Sequence, residues 1–86
     1  MYRIVYKPSV AKDLKSLPKN QIQSIFEKVE LLAKEPLPYY SVKLTGTDHL
    51  YRIRIGDYRV VYNVNRELSQ IIVNYIRHRR DVYRSL

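Results

Sequence analysis

The spacing of apolar positions changes character twice along the chain. Tyr2-Arg3-Ile4-Val5-Tyr6 alternates and is rich in β-formers, which predicts a first strand. Pro8-Ser9 interrupts it, with Ser9 the expected N-cap of a helix. Val10, Leu14 and Leu17 then fall on one helical face, until Pro18 ends the run. A second helix is expected from about Lys19 to Lys34, with Ile22, Ile25, Phe26, Val29, Leu32 and Ala33 as its apolar stripe. Pro36 and Pro38 close it. The two helices, so briefly connected, read as an antiparallel hairpin. From Ser41 the period becomes two. Val42 and Leu44 form a short lead-in, broken at Gly46-Thr47-Asp48. Tyr51, Ile53 and Ile55 alternate with Arg52 and Arg54, Gly56-Asp57 signals a two-residue turn, and Tyr58 to Val64 returns. A second turn at Asn65-Arg66-Glu67 leads into a last strand from Ser69 to Ile76, and Arg79 to Leu86 reads as a short terminal helix. The order β-α-α-β-β-β-(α) predicts one α+β domain over residues 1–86, with the N-terminal strand and helical hairpin packed on one face of a small, mostly antiparallel sheet.

Composition narrows the chemistry. Eighty-six residues suffice for one core and no more. There is no cysteine, which excludes disulfides, thiolate metal sites and a cysteine nucleophile. His49 and His78 are the two histidines, too few for a histidine-rich metal centre, and no cofactor is expected. No apolar run approaches the ~20 residues of a membrane helix, and Met1 leads straight into a strand-like segment without a signal peptide. A soluble cytoplasmic domain with no membrane partner is the expectation.

Charge adds a direction. Sixteen Lys and Arg against eight Asp and Glu give a net charge of +8. Residues 1–50 hold seven lysines and one arginine, whereas residues 51–86 hold eight arginines and no lysine. Lysine is a mobile point charge; arginine offers a planar fork matched to phosphate or carboxylate. The second half therefore suits a surface that grips oxyanions, with nucleic acid the leading partner.

A two-residue loop at Gly56-Asp57 sets the hairpin register. Arg54 then faces Arg59 and Arg52 faces Val61, while Tyr51, Ile53, Ile55, Tyr58, Val60 and Tyr62 share the core face. Arg52, Arg54 and Arg59 gather on the other face, where like charges directly opposite cost tenths to about 1 kcal/mol. Ser69 to Ile76 carries no acid to relieve them. An exposed face kept soluble by charge is the bland reading; a phosphate cradle is the sharper one. Beyond the last strand, Arg77, His78, Arg79, Arg80 and Tyr83 place guanidinium, imidazole and phenol groups close together in sequence. Phosphodiester cleavage needs charge stabilisation, a base and an acid, and RNA supplies its own 2′-hydroxyl nucleophile. Tyr83 offers a platform for an unstacked base. His49, beside Asp48, reads as a loop residue. The last two strands admit two registers. Strict alternation around an Arg66-Glu67 loop puts Asn74 opposite Arg59 and His78 on the arginine face, with Arg77 pointing away; a bulge or bend after Tyr75 reverses that.

The segment Leu50-Tyr51-Arg52-Ile53-Arg54-Ile55-Gly56-Asp57-Tyr58-Arg59-Val60-Val61-Tyr62, followed by Ile76-Arg77-His78-Arg79-Arg80-Asp81-Val82-Tyr83, closely resembles the core motifs of RelE-type toxins. These belong to the RelE/ParE superfamily of toxin–antitoxin modules. The resemblance extends to the helical hairpin and the Lys43-Leu44-x-Gly46 lead-in. It implies a toxin that enters the ribosomal A site and cleaves mRNA there by 2′-hydroxyl attack, without metal, stopping translation. By position, Arg59 matches the arginine holding the scissile phosphate and Arg77 the arginine stabilising charge or the leaving oxygen. Tyr83 matches the tyrosine that stacks on an mRNA base. Arg52 and Arg54 stand where the best-studied member has lysines, and arginine does not readily deprotonate. His78 is then the acid–base candidate, since an unperturbed histidine titrates near ~6.5, while Arg79 and Arg80 add phosphate contacts. The implied partners are an acidic, RelB-like antitoxin, the ribosome and mRNA, with operator DNA reached only through the antitoxin. ParE-like relatives that poison gyrase share the scaffold but generally lack this arginine and tyrosine set. The remaining alternative is an inactive basic RNA-binding relative.

Overall fold

A computed structural model of the chain describes residues 1–47 and 49–80. Strand β1 (Arg3–Tyr6) leads into helices α1 (Pro8–Lys15) and α2 (Lys19–Glu30), a 3₁₀ turn at Leu31–Ala33, and strands β2 (Val42–Lys43), β3 (Leu50–Ile55), β4 (Tyr58–Asn65) and β5 (Gln70–His78). The sheet order is β1-β5-β4-β3-β2. β1 is thus an edge strand of the sheet itself, parallel to β5, and the other pairings are antiparallel.

The helix ends follow proline chemistry. Helix α1 begins one residue before the expected cap: Lys7 is the N-cap and Pro8 opens the helix, where its fixed φ fits and its missing N–H is not needed. The Ser9 hydroxyl instead donates to the Asn74 carbonyl (3.3 Å). Pro18 caps α2 in extended backbone. The second helix tightens into the 3₁₀ turn after Glu30, short of Lys34, yet Leu32 stays fully buried.

One core lies between the helices and one sheet face. Val10, Ile25, Val29 and Leu32 pack against Ile53, Ile55, Val60, Tyr62, Ile71, Val73 and Ile76. The expected β3 and β4 contributions are all there, with Tyr51 and Tyr58 half-buried at the margin. Burial of such side chains supplies roughly 1.5–3 kcal/mol each. Tyr62 also donates its hydroxyl to the Pro36 carbonyl (2.7 Å). Burial, with the neighbouring Tyr40 and Tyr51 phenols, pushes its pKa up to about 12.

The hairpin forms in the expected register, Ile55 opposite Tyr58 and Arg54 opposite Arg59. Gly56 has φ +60° and Asp57 does not turn positive, the pattern of a type II′ turn with glycine first.

The β4–β5 register differs from strict alternation. The loop is longer than the expected turn: Asn65 pairs with Gln70, and Ser69 closes the loop at φ 52°. Leu68 N–H is held by the Asn65 side chain (3.0 Å). Two added loop residues alone leave every side chain on its face. The face changes at Asn74, an extra residue between the pairs Tyr62–Val73 and Val61–Tyr75. The irregularity therefore sits before Tyr75, not after it. It puts Ile76 in the core opposite Val60, and Arg77 opposite Arg59. Asn74 donates from its amide to Asn63 (3.2 Å), bracing the bulge.

Candidate functional site

The sheet face away from the helices is ordered by these registers. Arg54, Arg59 and Arg77 stand side by side on β3, β4 and β5, and Arg52, Val61 and Tyr75 form the next rank. Arg59 is nearly buried at 8% exposure, Arg52 is half-buried, and Arg54 and Arg77 are open to solvent. The sequence expectation left Arg52, Arg54 and Arg59 without internal counter-groups. For Arg52 and Arg59 that is corrected, since each holds an interaction in the fold. A nearly buried guanidinium could not otherwise be tolerated.

Arg77 lies 4.4 Å over the Tyr75 ring, a cation–π contact of about 0.5–1 kcal/mol at an exposed site. That contact exists because Tyr75 and Arg77, two apart on one strand, share a face. Tyr75 was not singled out in the sequence, where its face depended on the unknown register.

At the hairpin tip, Arg54, Arg59 and Arg79 line a small notch of about 70 Å³ with Gly56 and Asp57. Arg79 N–H donates to the Asp57 carbonyl (2.8 Å), fastening the chain after β5 to the turn. The backbone becomes helical at Arg79 and Arg80. The remainder of the expected terminal helix, including Tyr83, lies outside the described residues.

His78 points the other way. It pairs across from Tyr58, meeting that ring edge-on at 5.3 Å, on the face opposite Arg59 and Arg77. Its Nδ1 accepts the Arg80 backbone N–H (3.1 Å), which puts the proton of the neutral ring on Nε2. His78, Arg77 and Arg80 line a second cavity of about 330 Å³ with Asp13 and Tyr58. Asp13, absent from the sequence reading, accepts the Ile76 backbone N–H at 3.0 Å. Among the described residues, no group of three or more His, Cys, Asp or Glu side chains is placed to hold a metal ion, and no helix is long and apolar enough to cross a membrane.

Against known proteins, residues 4–83 match the family model described as the ParE toxin of the type II toxin–antitoxin system parDE. A relative from Methanocaldococcus jannaschii carrying the name RelE1 is 38% identical over 79 residues, 88% of each chain. The chain belongs to the RelE/ParE family of type II toxins. Within it, this RelE-type chain superposes on a chain of the RelE–RelB complex of Pyrococcus horikoshii with a TM-score of 0.79 and 38% identity, covering 91% of this chain and 94% of that one. The isolated Escherichia coli RelE toxin shares the fold over the full length of both chains, with a TM-score of 0.79 at 21% identity.

Proposed function

We propose that this toxin is a ribosome-dependent endoribonuclease that cuts mRNA in the A site and so stops translation. The observation that carries the reading is the rank of Arg54, Arg59 and Arg77 across three strands on the helix-free face. Attack of a ribose 2′-oxygen on phosphorus forms one P–O bond and breaks the bond to the 5′-oxygen, leaving a cyclic phosphate and a 5′-hydroxyl. Charge builds on the phosphoryl oxygens in between, and preorganised donors there are worth about 10²–10³ in rate each. Arg59, braced by burial, holds the phosphate; Arg77, steadied on Tyr75, meets the developing charge or the leaving oxygen. Arg52, Arg54, Arg79 and Arg80 neutralise flanking phosphates, and Tyr83 stacks on a base as in the family it resembles. His78 is the proton-transfer candidate: its ring takes up a proton at Nδ1 on releasing the Arg80 N–H and can then give one from Nε2. It must act around the end of β5, because its ring is on the opposite face. No metal enters this reading, since the RNA brings its own nucleophile.

The complexes among the relatives pair RelE with RelB. A cognate acidic, RelB-like antitoxin that covers the arginine face fits the +8 charge, and operator DNA would be reached through that antitoxin. A second reading, a gyrase poison without nuclease chemistry, is favoured by the ParE description of the matching family model. Translation in a purified system with primer extension separates them. Cuts positioned on codons, lost in Arg59→Ala, support the nuclease; intact message with gyrase arrested on DNA overturns it.

A further inference from the structure

The rank of arginines runs out at the sheet edge, and a second kind of surface begins there. Strand β2 pairs with Tyr51 and Arg52, so at Arg54 β3 has no outer strand neighbour among the described residues. Arg54 lines two hollows: the notch it shares with Arg59, and a wider groove of about 380 Å³ bounded by Lys28, Tyr39, Tyr40 and Gly56. A groove of that volume is within the range of small-ligand sites.

Tyr39 is 96% exposed and Tyr40 40%, their rings edge-to-face at 5.3 Å. The loop that carries them is nevertheless fixed. Pro38 is buried, its carbonyl accepts both the Ser41 backbone N–H (2.9 Å) and the Ser41 hydroxyl (2.8 Å), and the Tyr62 hydroxyl holds the Pro36 carbonyl. An aromatic ring held in solvent by a rigid loop contributes almost nothing to the core. Beside two cations, it has the makings of a base platform with phosphate contacts at its edge.

We propose that Tyr39 and Tyr40, with Lys28 and Arg54, form an accessory subsite for single-stranded RNA, stacking a base that flanks the scissile linkage while Arg54 bridges the intervening phosphate. This rests on the nuclease reading for its place beside the cleaved bond, but the binding itself can be measured without cleavage. The probe is a short fluorescein-labelled 2′-O-methyl oligoribonucleotide, which lacks the nucleophile, titrated by anisotropy with the full chain. Tyr39→Ala should weaken binding about tenfold, Tyr39→Phe should stay within about twofold, and the thermal midpoint should not move, since the side chain is solvent-exposed. Equal affinity of Tyr39→Ala and wild type overturns the subsite, as does an equal loss in Tyr39→Phe, which would mean a hydroxyl contact and not stacking. Unchanged RNA affinity with weakened antitoxin binding would also overturn it and assign the tyrosines to a protein partner. Primer extension on ribosomes runs in parallel. Wild-type cleavage with no Tyr39 effect on binding sinks the subsite alone; no cleavage with the predicted binding pattern sinks the nuclease reading and leaves the subsite standing.

Discussion

Replacing Asp13 by alanine should cost this small fold about 2 kcal/mol, although Asp13 lies on a helix and the group it serves lies on the sheet. Strand β1 ends at Tyr6 opposite Val73, and Lys7 makes the last bond to that strand through the Val73 carbonyl (3.0 Å). From Asn74 onward β5 has no strand on that side among the described residues. The Ile76 N–H points into the gap, and the Asp13 carboxylate accepts it at 3.0 Å. A hydrogen bond to a charged group contributes about 1.5–3 kcal/mol, and a half-buried N–H left alone costs about 1–3. Asp13 also sits near the C-terminal end of α1, where a negative charge is unfavourable by about 0.3–1 kcal/mol, so removing it returns part of the loss. At about 0.05–0.15 kcal/mol per residue, the chain has only about 4–13 kcal/mol in all. Urea unfolding followed by far-UV circular dichroism should show the midpoint falling by about 1–2 M, and the melting temperature by roughly 10 °C. Asp13→Asn keeps an oxygen acceptor in place and should lose less than about 1 kcal/mol. The reasoning is refuted if Asp13→Ala stays within about 0.5 kcal/mol of wild type, or if the asparagine variant is as damaged as the alanine one.

Two further outcomes follow from the same geometry. Deleting Asn74 removes the extra residue and leaves Val73, Tyr75, Ile76 and Arg77 opposite Tyr62, Val61, Val60 and Arg59 in simple alternation, so Ile76, at 1% exposure, should stay in the core and Arg77 beside Arg59. Chemical denaturation should report a loss of only about 1–2 kcal/mol, for the Asn74–Asn63 hydrogen bond and the local change in twist. A loss above about 4 kcal/mol, that of Ile76 expelled as Arg77 enters the core, would count against the register. Alkaline pH should unfold the chain through Tyr62. Its folded pKa of about 12 exceeds the ordinary phenol value near 10, so the folded state holds a proton that the unfolded chain has released. That stability is complete below about pH 10 and is lost as pH rises towards 12, an effect of roughly 2–3 kcal/mol. Tyr6, raised to about 12 by burial and then by the charge of Glu30, shifts in the same direction. Denaturation curves from pH 9 to 12 on Tyr62→Phe should show a flatter decline than wild type, beneath an initial loss of about 1 kcal/mol for the Pro36 carbonyl left without its donor.

How far the sequence carried the fold depended on how many signals agreed at each element. In the β3–β4 hairpin, alternation, a glycine turn and a one-sided apolar set pointed to one register, and the structure has it. In β5 they did not agree. Ile71, Ile72 and Val73 are all apolar, and Tyr75 and Ile76 are apolar again, so neither parity was marked; Ile71, Val73 and Ile76 reach the core only because the Asn74 bulge changes the step from two to three. Whether that residue is left out of the ladder or paired within it decides whether Arg77 or His78 joins the arginine face. Asp13 carried no signal because its partner is a backbone group 63 residues away. Tyr39 and Tyr40 carried no signal for a different reason: an aromatic pair after a proline marks neither core nor surface until its exposure is known.

The central claim is that Arg59 and Arg77, paired across the sheet, act on one phosphate and do not merely add charge. Single-turnover cleavage of a codon in programmed ribosomes by Arg59→Ala, Arg77→Ala and Arg66→Ala tests it most directly, because Arg66 is an exposed arginine in the β4–β5 loop, away from the rank. The account predicts losses of about 100-fold or more for Arg59 and Arg77, with Arg66→Ala near wild type. Equal, modest losses in all three would contradict it.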